Sequence, residues 1–427
     1  MKELTIENLQ DIIVRTLNHI DRRLTGHGER VAYGTLPMLK EDPRFSYIET
    51  CKIIWTILLH DIGIFHNMAN VEGLLKNERA SAFLHAHYGS FFLKYFSPYP
   101  EYAPIVYYHH SSREDVESAC MSEKMKWACK YMQALDAADL YCVSHPEAKS
   151  DQLLGFLSCL SAKRYDKRAV DIIMGLVRKY QIPQNLILEN VHRELLQYLK
   201  KMHVTEEEKA ALLQTLVSFI DFRSHYTALH CAIMVHVSDM LGGLCGLDEE
   251  TRAALHIGAT LHDLGKIAIP VEILESPGKL AGKNWETMKS HVSLSEEILR
   301  GRVPDNVLHI AIRHHETLNG TGYPLGLNAD SLDLPARIVA VADIVSALSE
   351  ERSYKSSFPL DEVLQILWDM ADSGRISPEV VRILDDNKEE IYEAAREKGR
   401  KTSEMYDKIY REYALSVQKY VEDKPSK

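Results

Sequence analysis

The run His314-His315-Glu316-Thr317-Leu318-Asn319-Gly320-Thr321-Gly322-Tyr323-Pro324 joins two adjacent imidazoles to a turn whose glycines let backbone approach a substrate closely. Upstream, His262-Asp263-Leu264-Gly265-Lys266 sets an imidazole, a carboxylate and an ammonium close together. His230, His291 and Asp343 complete a set of nitrogen and oxygen donors. Such donors without thiolates suit iron, manganese, zinc or cobalt, and five histidines with two aspartates exceed what one tetrahedral zinc needs. Two ions are therefore expected, with His230, His262 and Asp343 around one, His291, His314 and His315 around the other, and Asp263 bridging them. A pair of ions about 3.5 to 4 Å apart lowers the pKa of a shared water and stabilises in-line attack on phosphorus. The pattern reads as a metallohydrolase site.

The same residue types recur upstream. His27, His60-Asp61, His85, His109-His110 and Asp139 precede their counterparts by 202 to 206 residues, and Leu59-His60-Asp61-Ile62-Gly63 parallels Leu261-His262-Asp263-Leu264-Gly265. Two tandem copies of one domain are implied. The first copy keeps a full set of candidate ligands, with His85 preferred to His87 because Gly89 follows His85 at the spacing His-x-x-x-Gly. It lacks the rest: Ser111-Ser112-Arg113 follows the histidine pair in place of a glycine loop, and Ile64 stands at the position of Lys266. This copy is expected to hold metal without turnover and to serve regulation or structure. His225, His236, His256 and His309 have no repeat partner and are read as structural.

Helical periodicity dominates the elements that must position these residues, as in Ile12, Ile13, Thr16, Leu17 and Ile20, and again in Val363, Leu364, Ile366, Leu367 and Met370. Strand-like alternation is scarce, so the fold is expected to be all-α, with two tandem helical bundles. Gln181-Ile182-Pro183 interrupts a helix and Thr205-Glu206-Glu207-Glu208 opens another with a capping-box pattern. The expected boundaries are 1–200 for the first bundle, 205–395 for the second and 396–427 for a charged helical tail. A chain of 427 residues is long enough for more than one core, and 45% hydrophobic with 26% charged residues is a globular composition. The net charge of −11 argues against a nucleic-acid polymer as partner, because binding one relies on clustered cations. Seven cysteines with no CxxC pair indicate neither a disulfide framework nor a thiolate zinc site. The N-terminal residues lack an apolar signal region, and no apolar run stands out at the roughly 18 to 20 residues that span a bilayer, so a cytoplasmic protein without membrane contact is expected.

Residues 221–356 resemble the HD-GYP family, a branch of the HD phosphohydrolase superfamily. The resemblance is carried by Tyr226-Thr227-Ala228-Leu229-His230, His262-Asp263-Leu264-Gly265-Lys266-Ile267-Ala268-Ile269-Pro270, Pro277-Gly278-Lys279-Leu280, Met288-Lys289-Ser290-His291, the glycine loop, Ala342-Asp343 and Arg352-Ser353-Tyr354-Lys355. It implies two tandem HD-type bundles and a phosphodiesterase that linearises a bacterial cyclic dinucleotide at a two-metal centre, iron or manganese, by attack of a bridging hydroxide on phosphorus. By position it makes His230, His262, Asp263, His291, His314, His315 and Asp343 the metal ligands. Lys266 is implied to meet the scissile phosphate and steady the leaving 3′ oxygen, while Gly322, Tyr323, Pro324, Arg352 and Lys355 are implied to contact substrate. Cyclic di-GMP is the family's usual substrate. Tandem chains without a sensor segment also resemble the group acting on 3′,3′-cyclic GMP-AMP, and whether the linear product is cut further to GMP is left open. So is a homodimer or a signalling-protein partner. The chain departs from family patterns at Tyr226, where some relatives carry a glutamate for a third metal, and at Thr317 and Asn319. Competing readings are a receptor that binds nucleotide or metal without turnover, and a hydrolase of monomeric nucleotides.

Overall fold

A computed structural model describes residues 4–19, 25–65, 78–160, 162–180, 188–221, 223–276, 278, 280–349 and 358–422. Helices account for the regular structure. Among the described residues the one extended pairing is an isolated antiparallel bridge, Asn319 with Asn328, at the base of the glycine loop. The all-α expectation is met.

The chain divides into two compact units, one of residues 1–12 with 216–410 and the other of residues 13–215 with 411–427. In the unit of residues 13–215 the elements that matter are α1 (His27–Glu41), α2 (Tyr47–Leu58), a 3-10 turn at His60–Phe65, α3 (Glu78–Phe96), α4 (Ala103–Tyr107) and α5 (Glu123–Ser144). The other unit repeats the series as α6 (His225–Leu244), α7 (Glu249–Leu261), a 3-10 turn at Leu264–Ala268, α8 (Gly282–Leu299), α9 (Asp305–Ile312) and α10 (Leu334–Ser349). Packing repeats with it. In each unit the first helix lies on the second and the last, and the 3-10 turn lies against the third helix: α1 on α2 and α5, α6 on α7 and α10.

Local chemistry explains these boundaries. Ser46 caps α2 in a capping box with Glu49, Ser122 caps α5 through the Met125 amide, and Asp248 caps α7 by accepting from the Thr251 amide. A glycine follows each His-Asp pair because the 3-10 turn presses against the next helix. A Cβ at Gly265 would sit 2.0 Å from the His291 carbonyl oxygen, and one at Gly63 would sit 2.1 Å from that of His85. That approach brings His262 and His291 together in one copy and His60 and His85 in the other.

Two expectations change. The tail at 396–427 is part of α11 (Lys388–Glu422), which is amphipathic rather than solvated all round: Ile391, Ala395, Ile409 and Tyr413 are buried, and Tyr413 meets Tyr88 and Phe91 edge-on. The unit boundaries accordingly differ from 1–200 and 205–395. Thr227–Leu244 has the length and apolarity of a membrane span, with a mean hydropathy of 1.2 over 18 residues, where the sequence reading saw no such run. It is the core helix of its unit, and Ile233, Met234, Val237 and Leu241 are buried.

Candidate metal centre

Three helical segments deliver imidazoles to one point in the same way, His262 and His314 from just beyond the ends of α7 and α9 and His291 from within α8. His262, His291 and His314 each donate Nδ1–H to the carbonyl three residues earlier, Ala259 at 2.7 Å, Met288 at 2.6 Å and Ala311 at 2.8 Å. Spending Nδ1 on backbone fixes the tautomer and leaves the Nε2 lone pair facing inward, as a metal ligand requires. Ala259 and Ala311 lie in the last turns of α7 and α9, where carbonyls run out of helical partners, while Met288 lies within α8 and its carbonyl accepts the imidazole from inside the helix.

The donors form two groups joined by Asp263. His230 Nε2 lies 3.0 Å from Asp343 Oδ1, and with His262 these atoms form one group of mutually close donors. His291, His314 and His315 form the other, with His291 Nε2 3.4 Å from His314 Nε2. Asp263 stands between them, Oδ2 2.9 Å from His262 Nε2 and Oδ1 3.3 Å from His291 Nε2. His262 Nε2 and Asp263 Oδ1 are buried with no hydrogen-bond partner. A buried polar atom left unpaired costs roughly 1 to 3 kcal/mol, so these atoms fit a bound cation.

Protonation agrees in the second group. Burial, the neighbouring histidines and, for His291 and His315, Lys266 push His314 and His315 below the ordinary imidazole range and His291 down to about 3, which leaves neutral donors; in the first group burial opposes the charge of His262, yet adjacent Asp263 raises its pKa. Burial works against the charge of Asp343, yet the hydrogen bond to His230 and the surrounding imidazoles hold its carboxyl well below the usual range. The Cys231 thiol, 3.8 Å from Asp263 Oδ2, is pushed well up by burial and adjacent carboxylates, so it stays protonated and is no thiolate ligand.

Lys266 reaches Asp263 Oδ2 at 2.5 Å. Burial opposes its charge, but Asp263 prevails and keeps the ammonium protonated. Arg223 holds the turn in place by donating to the carbonyls of Lys266, Ile267 and Ile269 at 2.7 to 3.0 Å. A cavity of about 250 Å³ opens onto His230, Asp263, Lys266, His315 and Asp343, with Thr227, Leu280 and Met288 on its wall.

The glycine loop folds back over the histidine pair. A Cβ at Gly322 would sit 2.5 Å from Glu316 Cα and 2.6 Å from the His315 oxygen, so only glycine fits. Tyr323 packs on the His315 ring at 4.7 Å between centroids and meets Trp285 edge-on at 5.8 Å; Pro324 follows through a cis peptide bond. Glu316, which the sequence reading left without a role, is buried and accepts from the Leu325 and Leu327 amides at 2.7 and 2.8 Å, tying the loop down. Asn319 organises the turn, its Oδ1 accepting from Thr317 Oγ1 and Thr321 Oγ1 at 2.9 and 2.7 Å. Arg352 and Lys355 lie outside the described residues, as does the Tyr226 side chain.

The first copy assembles the same way with one exchange. His60 and His109 donate Nδ1–H to Ile57 and Val106, and Asp61 lies 3.4 Å from both His60 and His85 through Oδ1 and 3.5 Å from His27 through Oδ2. Asp139, expected as a ligand from the paired Ala-Asp dipeptides, is displaced. Its place beside His27 Nε2 and His60 is taken by Asp136, while Asp139 bonds His27 Nδ1 at 2.7 Å. The second copy shows the rule: Ser346, three residues beyond Asp343, bonds His230 Nδ1 at 2.8 Å. Asp136 thus corresponds to Asp343 and Asp139 to Ser346, one helical turn apart, and an aspartate one turn before Asp139 was the available signal. His87 is not in the cluster; it bonds Ser416 Oγ at 2.6 Å between the rings of Phe83 and Tyr107.

Residues 198–380 match the HD domain family. Over 418 residues the chain is 27% identical to the 3′3′-cGAMP-specific phosphodiesterase 1 of Vibrio cholerae, covering 92% of this chain and 95% of that protein. It is 39% identical over 181 residues to the cyclic di-GMP phosphodiesterase response regulator RpfG of Xanthomonas campestris, covering 42% of this chain and 47% of that protein. Among solved structures, a cyclic GMP-AMP specific phosphodiesterase of V. cholerae (V-cGAP3) shares the fold with a TM-score of 0.57 at 20% identity, over 90% of this chain and 97% of that one.

Proposed function

We propose that the chain, which matches the HD domain family over residues 198–380, is an HD-GYP-type, metal-dependent phosphodiesterase that opens a cyclic dinucleotide to the linear form. The observation that carries this reading is the pair of donor groups joined by Asp263, with His262 Nε2 and Asp263 Oδ1 buried and without a hydrogen-bond partner. His230, His262 and Asp343 would hold one divalent ion and His291, His314 and His315 the other, with Asp263 shared; a donor set of nitrogen and oxygen alone suits iron or manganese. Bound there, the ions would supply Lewis acidity toward water and phosphate oxygen.

The chain's own residues do the rest. Lys266, protonated and facing the cavity, offsets the charge that develops on the phosphate and is placed to give its proton to the departing 3′ oxygen, a contribution of about 10² to 10⁴ in rate for such a group. Arg223 positions Lys266 through the backbone carbonyls it holds. Tyr323 braces the His315 ring, and the loop at Gly322 and Pro324 is assigned to substrate contact. Arg352 and Lys355 are assigned to the dinucleotide's remaining phosphate and bases.

Cyclic di-GMP is the first substrate. Cyclic GMP-AMP is the second, favoured by the likeness to the cGAMP-specific enzyme along 95% of that protein's length. Incubating the metal-loaded chain with each dinucleotide and resolving the products by chromatography decides between them. Cleavage of neither refutes the reading.

A further inference from the structure

The first copy differs from the second in what stands behind its ligands, and the differences act in opposite directions on its two donor groups. Around His27, His60 and Asp136 the donors are buried, and Asp61 Oδ2 adds a fourth at 3.5 Å from His27 Nε2. His60 Nε2 is buried without a hydrogen-bond partner, the same signature that marks His262. Behind His27, Asp139 accepts Nδ1–H and is itself clamped by Arg30, at 2.5 Å to Oδ1 from Nε and 2.9 Å to Oδ2 from Nη2. A carboxylate behind an imidazole fixes the ring and raises its donor strength. Ile64 stands where the second copy has Lys266, the ammonium that pairs with Asp263 there.

Around His85, His109 and His110 the opposite holds. Arg164 Nη2 lies 3.2 Å from His110 Nδ1. A guanidinium only donates, so Nδ1 is the acceptor, and a neutral His110 must carry its proton on Nε2. That nitrogen points at His85 Nε2, 3.0 Å away, with an N–H rather than a lone pair. In the second copy the matching nitrogen, His315 Nδ1, faces the Asp343 carboxylate at 3.6 Å; His110 Nδ1 also faces a carboxylate, Asp136 at 3.9 Å, but Arg164 stands nearer at 3.2 Å. Arg164 therefore removes one ligand from the second group and brings a positive charge to it.

We infer that the N-terminal unit holds a single divalent ion, on His27, His60, Asp61 and Asp136, as a non-hydrolytic centre, with Arg164 excluding the second ion. Asp139 and Arg30 are positioning residues for His27. The inference does not depend on the substrate assigned to the other unit.

The test is manganese content of the full chain, reconstituted with Mn²⁺ and freed of loose metal, together with its electron paramagnetic resonance spectrum. The wild type is expected to bind about three ions per chain, one magnetically isolated beside one coupled pair. Asp136→Asn should lose the isolated signal and one ion, and Arg164→Ala should gain an ion and convert the isolated signal to a second coupled pair. A wild-type content of two ions or four, a spectrum without isolated Mn²⁺, or an Asp136→Asn chain that keeps the isolated signal overturns the inference. Wild-type stoichiometry and spectrum decide the matter even if a variant does not fold.

Discussion

The two copies orient their histidines by the same kind of backbone acceptor, yet only one adds a lysine and a glycine loop to them. His60, His109, His262, His291 and His314 all donate Nδ1–H to a carbonyl three residues back. What separates the copies is a handful of side chains: Lys266 against Ile64, the Gly322 loop against Ser111-Ser112, and Ser346 against the Asp139–Arg30 pair. Helix geometry thus confers a donor set on both copies, while on the proposed function hydrolysis depends on the cation and the loop that only the second adds.

Removing the metal should have the largest effect. Dialysis against a chelator is expected to abolish cyclic dinucleotide hydrolysis, with activity returning on adding back Mn²⁺ or Fe²⁺; a chelated chain that still turns over would erase the distinction between the copies. Lys266→Met comes next. It should lower kcat by about 10² or more while leaving metal content intact, since the loss is of charge and proton at the leaving oxygen. Steady-state kinetics with metal analysis separates that from loss of an ion. Gly322→Ala forces a Cβ against backbone at 2.5 Å, and overpacking of that kind costs about 1 to 3 kcal/mol. The loop should lift from His315 and kcat/KM fall by roughly tenfold or more. Glu316→Gln should act least, weakening two amide contacts by about 1 to 2 kcal/mol, read as a lower melting temperature and a modest rise in KM.

Much of this was legible in the sequence because metal ligation demands particular residue types, and the repeat supplied an internal check on each. The all-α fold followed from periodicity. Asp136 was missed because the dipeptide match favoured Asp139, and the two lie one turn apart on the same helix face, where only the position of His27 decides which meets Nε2 and which Nδ1. Glu316 was missed because its role is to two amides in a folded loop, which leaves no periodic trace. Arg164 lies in a turn far from any motif and reaches His110 through tertiary structure alone. The charge of the tail points to solvent, but its buried Ile409 and Tyr413, like Ile391 and Ala395 before it, are spaced along a helix otherwise crowded with Lys, Glu and Arg.

The central claim is that the second copy alone carries the hydrolysis, and one paired measurement tests it: formation of linear dinucleotide by metal-loaded full chains bearing Asp263→Asn or Asp61→Asn. The account predicts a loss of roughly 10³-fold or more for Asp263→Asn and a rate within about threefold of wild type for Asp61→Asn. Equal losses from the two changes, or activity retained by Asp263→Asn, would contradict it.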